Sequence, residues 1–224
     1  PVLLWLLQYQ YFCFLFFFGW AVLCEKFAVG NVCYALIGAA IPLMISGGFH
    51  VDGYMDTMDA FHSYQSREKK LEILKDSHIG AFAAIMLALY YMIDIAAISE
   101  IHTQKAVSAL AAVFFLARCF SGIAVMTLQP AKKEGLLYTF ASSAQKVRVK
   151  AALYFQAALC VVLMLLVSGW YGAAAIGAAL LSFFYFKKKS YKELGGITGD
   201  TAGFFVTVCE AAAAAAVAVA GYFL

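Results

Sequence analysis

The sequence predicts an all-α, polytopic integral membrane protein with about seven transmembrane helices and its polar chemistry gathered at one membrane face. Of its 224 residues, 64% are apolar and only 13% are charged, whereas an ordinary soluble domain is about 45–50% apolar and about 25% charged. This composition excludes a soluble globular enzyme, a disordered chain and a disulfide scaffold. The partner that it indicates is the lipid bilayer. A net charge of +3 gives no reason to expect nucleic acid.

Seven weakly charged runs approach the length of about 20 residues that crosses a bilayer. They cover residues 2–24, 27–46, 79–99, 106–128, 151–168, 169–186 and 203–224. The uncharged stretch 151–186 divides at 168–172, where glycine and aromatic residues favour a turn at the membrane interface. We therefore expect one transmembrane domain over residues 1–224.

The Lys and Arg residues indicate an orientation. Thirteen of the sixteen lie in three loops, 47–78, 129–150 and 187–202, which follow the second, fourth and sixth predicted spans. These loops consequently lie on the same side of the membrane. Because cationic loops are retained on the cytoplasmic side, we expect all three loops to be cytoplasmic.

Three carboxylates and a histidine mark the end of the second predicted span, in the segment GGFHVDGYMDTMD at 47–59. On a helix, Asp52, Asp56 and Asp59 stand at i, i+4 and i+7 and share one face. Oxygen ligands of this kind hold Mg²⁺ together with substrate phosphates. His50 is a candidate general base, substrate hydrogen-bond donor or orienter of the carboxylates.

The segment 66–80 has the charge pattern of an amphipathic helix at the membrane interface, with most of its charges on a solvated face. Lys75, Asp76 and Ser77 come just before the third predicted span, so they can return to the acidic face. A cation, an acid and a hydroxyl together suit phosphate neutralisation and metal ligation.

A glycine-rich loop opens the last predicted span, in the segment LGGITGDTAG at 194–203. Its backbone amides, together with Thr198 and Thr201, could hold an anion at a helix N-terminus. The alternative is a flexible connection in which Asp200 caps the helix.

Three charged residues fall inside predicted spans. Arg118 either pairs with Glu210 or reaches a substrate phosphate, and Asp94 is expected to have a structural role. The acidic face, the nearby cations and the loop together favour metal-assisted phosphoryl transfer on a partly membrane-bound substrate.

The sequence resembles the cobalamin synthase family, the adenosylcobinamide-GDP ribazoletransferases. The resemblance rests on residues 47–59, 71–80, 117–118 and 194–203, followed by Glu210, in matching order and spacing. His78 stands where the family typically has Arg, which puts in doubt whether a fixed cation there is essential. We expect the family's usual N-terminal segment to be missing from this single catalytic domain.

The resemblance implies a Mg²⁺-dependent transferase in a prokaryotic plasma membrane. Its substrates are adenosylcobinamide-GDP and α-ribazole or the 5′-phosphate of α-ribazole, and its products are adenosylcobalamin or its 5′-phosphate and GMP. Asp52, Asp56 and Asp59 would hold Mg²⁺, and either His50 or Asp76 would accept the hydroxyl proton. Asp76 also stays open as a metal ligand. The candidate substrate-binding residues are Lys75, Ser77, Arg118, Gly195, Gly196, Thr198 and Asp200.

Two other functions compete with this interpretation. A CDP-alcohol phosphotransferase also places Asp–Gly motifs on membrane helices, but its D-x-x-D-G-x-x-A-R pattern is not matched here. A secondary transporter could use Asp94, Arg118 and Glu210 as a midplane relay, although the other acids cluster at one membrane surface. The sequence leaves open whether the chain forms a homo-oligomer.

Overall fold

The computed structural model describes the backbone of residues 2–131 and 146–223, and side chains within residues 11–131 and 147–223. Within these ranges the regular secondary structure consists of helices, and Pro130 and Ile197 form an isolated β-bridge. The helices are α1 (Val2–Lys26), α2 (Asn31–Ser46), α3 (Phe49–His62), α4 (Arg67–Ile73), α5 (Ala81–Ile98), α6 (Gln104–Thr127), α7 (Lys146–Ser168), α8 (Trp170–Leu194) and α9 (Gly199–Gly221).

The predicted all-α polytopic membrane class is confirmed. Four of the described helices are long and apolar enough to span a membrane, namely α5, α6, α7 from Val147 onward, and α9. Helices α2 and α3 make a fifth span if they are counted as one broken span. The two remaining predicted runs form α1 and α8, and α8 begins directly after Gly169, within the predicted break.

Two glycines turn the acidic segment away from the axis of α2. Gly47 and Gly48 have φ angles of 55° and 85°, a left-handed conformation that costs little only for glycine. They join α2 to α3 at an angle of 94°. The predicted helix that carries Asp52, Asp56 and Asp59 therefore exists, but it is a separate helix that bends off the second span.

Helix α9 lies at the centre of the bundle, in contact with α3, α5, α6 and α8. Its side chains Phe204, Phe205 and Val217 are fully buried. By contrast, α7 exposes large apolar side chains such as Phe155 and Leu166, as a helix that faces lipid does. The central helix is thus the one that carries the glycine-rich loop at its start.

The loops sort to two ends of the bundle. At one end, Lys70 of α4 contacts Glu193 of α8, and Ile197 pairs with the backbone beside Pro130. At the other end, the Tyr34 hydroxyl donates a hydrogen bond to the carbonyl oxygen of Ile101. We call the first the cationic end; it comprises residues 47–80, 128–131 and 187–199. Lys132 and Lys133 of the middle cationic loop lie outside the described residues.

The amphipathic helix predicted over 66–80 is shorter than expected, because α4 ends at Ile73 and the chain turns at Lys75 and Asp76. Its charges are not all solvated. The Lys70 side chain is only 9% exposed, and its Nζ lies 2.5 Å from a carboxylate oxygen of Glu193. Lys189 contacts the other Glu193 oxygen at 3.2 Å. This ion pair fixes α4 against the end of α8.

We expect Lys70→Met to lower the free energy of unfolding by about 1–3 kcal/mol, because it leaves a largely buried carboxylate with one fewer hydrogen-bond donor. Thermal unfolding in detergent measures the change. Lys69→Met is the matched control, since the Lys69 ammonium is exposed and its solvent-screened pair with Glu72 contributes little to stability. Equal effects of the two substitutions would contradict a structural role for the buried pair.

The same pair predicts a dependence of stability on pH. Hydrogen bonds from Lys70 and Lys189 hold the pKa of Glu193 below its ordinary value of 4.5. Because the folded-state pKa lies below the unfolded one, the stabilisation is complete above the unfolded pKa and is lost as pH falls through the folded pKa. The stability difference between the wild type and Glu193→Gln should therefore shrink below pH 4.5. A difference that grows on acidification would be inconsistent with this ion pair.

Candidate active site

The site begins where α3 crosses α9 at backbone contact. A Cβ atom added at Gly53 would lie 2.7 Å from the carbonyl oxygen of Asp200, and one added at Gly203 would lie 3.1 Å from the carbonyl oxygen of His50. Real Cβ atoms do not approach backbone as closely as the first distance, so only glycine at position 53 permits this crossing. The crossing places the acidic helix directly against the first turn of α9.

Four carboxylates gather beside this crossing. Asp56 is half-buried and lies close enough to Asp52, Asp200 and Asp59 for their charges to interact. We call these four residues the acidic cluster. Three of them are the acids predicted on one helix face, and Asp200 joins them from α9. The approach of Asp200 to α3 depends on packing between distant segments, so the sequence pattern alone does not indicate it.

The acidic cluster has the donor chemistry that Mg²⁺ prefers. Among the described side chains, in residues 11–131 and 147–223, no group of three or more His, Cys, Asp or Glu that could by itself hold a metal ion is found. Mg²⁺ usually keeps several waters and takes one or two carboxylates together with substrate phosphates. An open set of carboxylates is compatible with this mode of binding, and magnesium ligation by Asp52, Asp56 and Asp59 stays a prediction.

Asp59 has a structural role in addition to its predicted one. One carboxylate oxygen accepts a hydrogen bond from the Gly80 amide at 2.7 Å, and the other accepts one from the Ala83 amide at 2.8 Å. The side chain thus caps the start of α5 from a neighbouring helix, satisfying amides that have no partner within α5. Its metal ligation stays a prediction.

The loop between α4 and α5 contacts α3 through the Gly80 amide, which donates to Asp59, and the predicted approach of Lys75, Asp76 and Ser77 to the acidic face stays a prediction. Lys75, Asp76 and Ser77 are all exposed on it. Asp76 accepts a hydrogen bond from the His78 amide at 3.0 Å and lies 2.6 Å from His78 Nδ1. The bond with the His78 ring holds the pKa of Asp76 below its ordinary value of 3.8. His78 and Asp76 therefore pair with each other on the exposed loop.

His50 lies on α3, two residues before Asp52. Its carbonyl oxygen accepts a hydrogen bond from the Thr207 hydroxyl at 3.2 Å, which ties α3 to α9. Its Nδ1 atom is buried and has no hydrogen-bond partner among the described residues. The ring lies within electrostatic reach of Arg118. His50 thus connects the exposed acids with the charged interior of the bundle.

Of the two alternatives for Arg118, the structure shows the ion pair. Its Nη1 lies 2.5 Å from a Glu210 carboxylate oxygen and 2.6 Å from the carbonyl oxygen of Phe114. Both charged side chains are 6% exposed. Asp94 is also buried and lies near Glu210. This geometry favours a structural role for Arg118 over the predicted phosphate contact.

Most glycine and threonine residues of the glycine-rich loop have structural roles. Gly195 ends α8 with a left-handed φ of 71°, and a Cβ atom at Gly196 would lie 2.6 Å from the carbonyl oxygen of Gln129. The Ile197 amide donates to that same oxygen at 3.0 Å. Thr198 and Thr201 form a reciprocal capping box at the start of α9. Thr198, rather than Asp200, is therefore the helix cap, and anion binding by this loop stays a prediction.

Sequence reasoning missed one cation beside this loop. The Arg67 guanidinium lies against Gly195, so closely that a Cβ atom added at Gly195 would overlap it. Arg67 and Lys70 stand at i and i+3 on α4 and therefore share a face. That spacing is the signal which could have indicated that both side chains turn toward α8.

The segments that form this site lie within the part of the chain that matches a known protein family. Residues 11–218 match the family model described as cobalamin-5-phosphate synthase. The chain belongs to this family.

Curated relatives agree with the family assignment. The adenosylcobinamide-GDP ribazoletransferase of Lachnoclostridium phytofermentans is 42% identical over 192 residues, which cover 86% of this chain and 73% of the relative. The protein of the same name from Clostridium botulinum strain Alaska E43 is 33% identical over 174 residues, 76% of this chain and 68% of the relative. No solved structure matches the chain. The resemblance to the cobalamin synthase family is confirmed.

We expect Gly53→Ala to destabilise this cobalamin-5-phosphate synthase family member by about 1–3 kcal/mol, because the new methyl group forces α3 and α9 apart. Gly177→Ala in α8 is the control, since a Cβ atom there meets nothing within 4 Å and alanine favours a helix. Thermal unfolding of both variants in one detergent measures the difference. A fully stable Gly53→Ala protein would refute the close crossing.

Arg118→Met should lower the free energy of unfolding by about 3–5 kcal/mol, because it leaves the Glu210 carboxylate buried without its cation. Adding Glu210→Gln should restore part of this loss by removing the remaining charge. The yield of folded protein in size-exclusion chromatography and its unfolding temperature report both effects. A stable, folded Arg118→Met protein would contradict the structural ion pair.

Proposed function

We propose that this chain is a membrane-bound adenosylcobinamide-GDP ribazoletransferase. It joins adenosylcobinamide-GDP to α-ribazole, or to the 5′-phosphate of α-ribazole, and releases GMP. The observation that carries this proposal is the meeting of Asp52 and Asp56 with Asp200, at the glycine crossing of α3 and α9, in a chain matched to the family over residues 11–218.

The reaction is a phosphoryl transfer in which the protein positions charged groups and moves one proton. The ribazole hydroxyl oxygen forms a bond to the phosphorus attached to cobinamide. The bond from that phosphorus to the bridging oxygen breaks, and the bridging oxygen leaves with GMP. Mg²⁺ held by Asp52, Asp56 and Asp200 would neutralise charge on the diphosphate as this bond breaks.

The proton of the attacking hydroxyl passes to His50 or to Asp76. His50 stands two residues before Asp52, and its Nδ1 has no hydrogen-bond partner among the described residues. Asp76 is ionised at neutral pH like any exposed carboxylate, and the His78 hydrogen bond, by lowering its pKa further, makes it a weaker base. Comparing His50→Gln with Asp76→Asn identifies the base, since loss of a general base costs about 10²–10⁴ in rate.

Purified protein incubated with adenosylcobinamide-GDP, α-ribazole and Mg²⁺ should release GMP and form a cobalamin product in equal amounts, and EDTA should abolish both. Asp52→Asn and Asp56→Asn should each lower the rate by about a hundredfold or more. Glu68→Gln is the control, because Glu68 is an exposed acid on α4. Near-normal rates in both aspartate variants would overturn the proposed metal site.

We also propose that the protein resides in a prokaryotic plasma membrane with its cationic end in the cytoplasm. Cationic loops favour this orientation. A cysteine at Ser66 or Lys188 should react with an impermeant maleimide only after the membrane is opened. A cysteine at Gln104, at the opposite end, should react in intact cells. The reverse pattern would show the opposite orientation.

A further inference from the structure

Arg67 offers an unused cation beside the glycine-rich loop. Its guanidinium lies against Gly195, its side chain is exposed, and it forms no hydrogen bond or ion pair with any described residue. Arginine presents five N–H donors in a planar fork that matches phosphate oxygens. The position of the guanidinium and its available N–H donors together suit it to bind an anion.

Arg67 is held in place by a neighbour on the same helix. One turn along α4, Lys70 is anchored to Glu193 at the end of α8. Glu193 comes two residues before Gly195, so the ion pair fixes the face of α4 that carries Arg67 against the start of the loop. The guanidinium position is therefore set by a largely buried contact, although the guanidinium itself is open to solvent.

The loop leads from Arg67 to the acidic cluster. Asp200 is five positions after Gly195, so their Cα atoms are at most about 18 Å apart. Asp200 in turn lies against Gly53 of the acidic helix. One nucleotide-sized substrate can therefore reach from the acidic cluster toward Arg67.

A cation at this position would also complement the charges of the site. The acidic cluster carries four carboxylates, which repel the negative diphosphate of the proposed substrate. Arg118 cannot readily offset this repulsion, because its guanidinium is buried and paired with Glu210. Unlike Arg118, Arg67 is exposed and lies against Gly195 of the glycine-rich loop.

We propose that Arg67 binds a phosphate group of the guanosine diphosphate moiety of the substrate. The inference rests on the proposed function, because it concerns the same substrate. It makes Arg67, rather than Arg118, the arginine that contacts phosphate. The structural alternative is that Arg67 only offsets the partial negative charge at the C-terminus of α8.

GDP binding to the purified full chain, measured by calorimetry in detergent, tests the proposal. We expect Arg67→Gln to weaken GDP binding about tenfold to a hundredfold, as loss of a hydrogen bond between charged groups does. Arg67→Lys should recover only part of the affinity, since lysine keeps the charge without the fork. Lys69→Gln is the matched control on the same helix and should change the affinity by less than about twofold.

The outcomes separate this proposal from the proposed reaction. Wild-type GDP affinity in Arg67→Gln would overturn the phosphate contact, and a lower unfolding temperature in that variant would then assign Arg67 to the end of α8. Absence of GDP binding by the wild type would overturn it as well. If the wild type released no GMP from the substrate but bound GDP in an Arg67-dependent way, the reaction would be wrong and the phosphate contact would stand.

Discussion

The backbone contact between α3 and α9 is the constraint on which the site depends. Gly53 lets the acidic helix lie directly on the first turn of the central helix, with a gap too small for any side chain. This crossing adds Asp200 to the three acids of α3. It also requires α3 to run across the bundle, which is possible because Gly47 and Gly48 turn the chain by 94° after α2. The geometry of the site therefore depends on Gly47, Gly48 and Gly53, which allow α3 to reach α9.

Ionic contacts then hold the elements around this crossing. Asp59 caps α5, Lys70 joins α4 to α8 through Glu193, and the Arg118–Glu210 pair joins α6 to α9. Each contact links two separate helices, so each restricts how these helices can move relative to one another around the site. Charged groups in a membrane protein are costly without partners. Here the Lys70–Glu193 and Arg118–Glu210 pairs serve structure.

Much of the architecture could be predicted because hydropathy reports it directly. The runs of apolar residues coincide with helices, and the glycine between α7 and α8 falls where the break was expected. The shared face of Asp52, Asp56 and Asp59 follows from helical spacing alone. The turn into α3, the burial of Lys70 and the approach of Asp200 could not be predicted, because they depend on contacts between segments far apart in the chain. The glycine-rich loop shows the same limit, since its glycines serve close packing against Gln129 and the end of α8.

The two arginines show why position in the fold, rather than residue type, decides a role. Arg118 lies in a predicted span, where intramembrane charge points to function by default, yet it is buried against Glu210 and Phe114. Arg67 lies in a segment whose charges suggest solvent exposure, yet the neighbouring Lys70–Glu193 pair sets it against the loop of the site. A buried, paired guanidinium has already exchanged its hydration for a protein partner, and a substrate would have to break that pair. An exposed guanidinium on a fixed helix face keeps its donors, so a phosphate displaces only water from it.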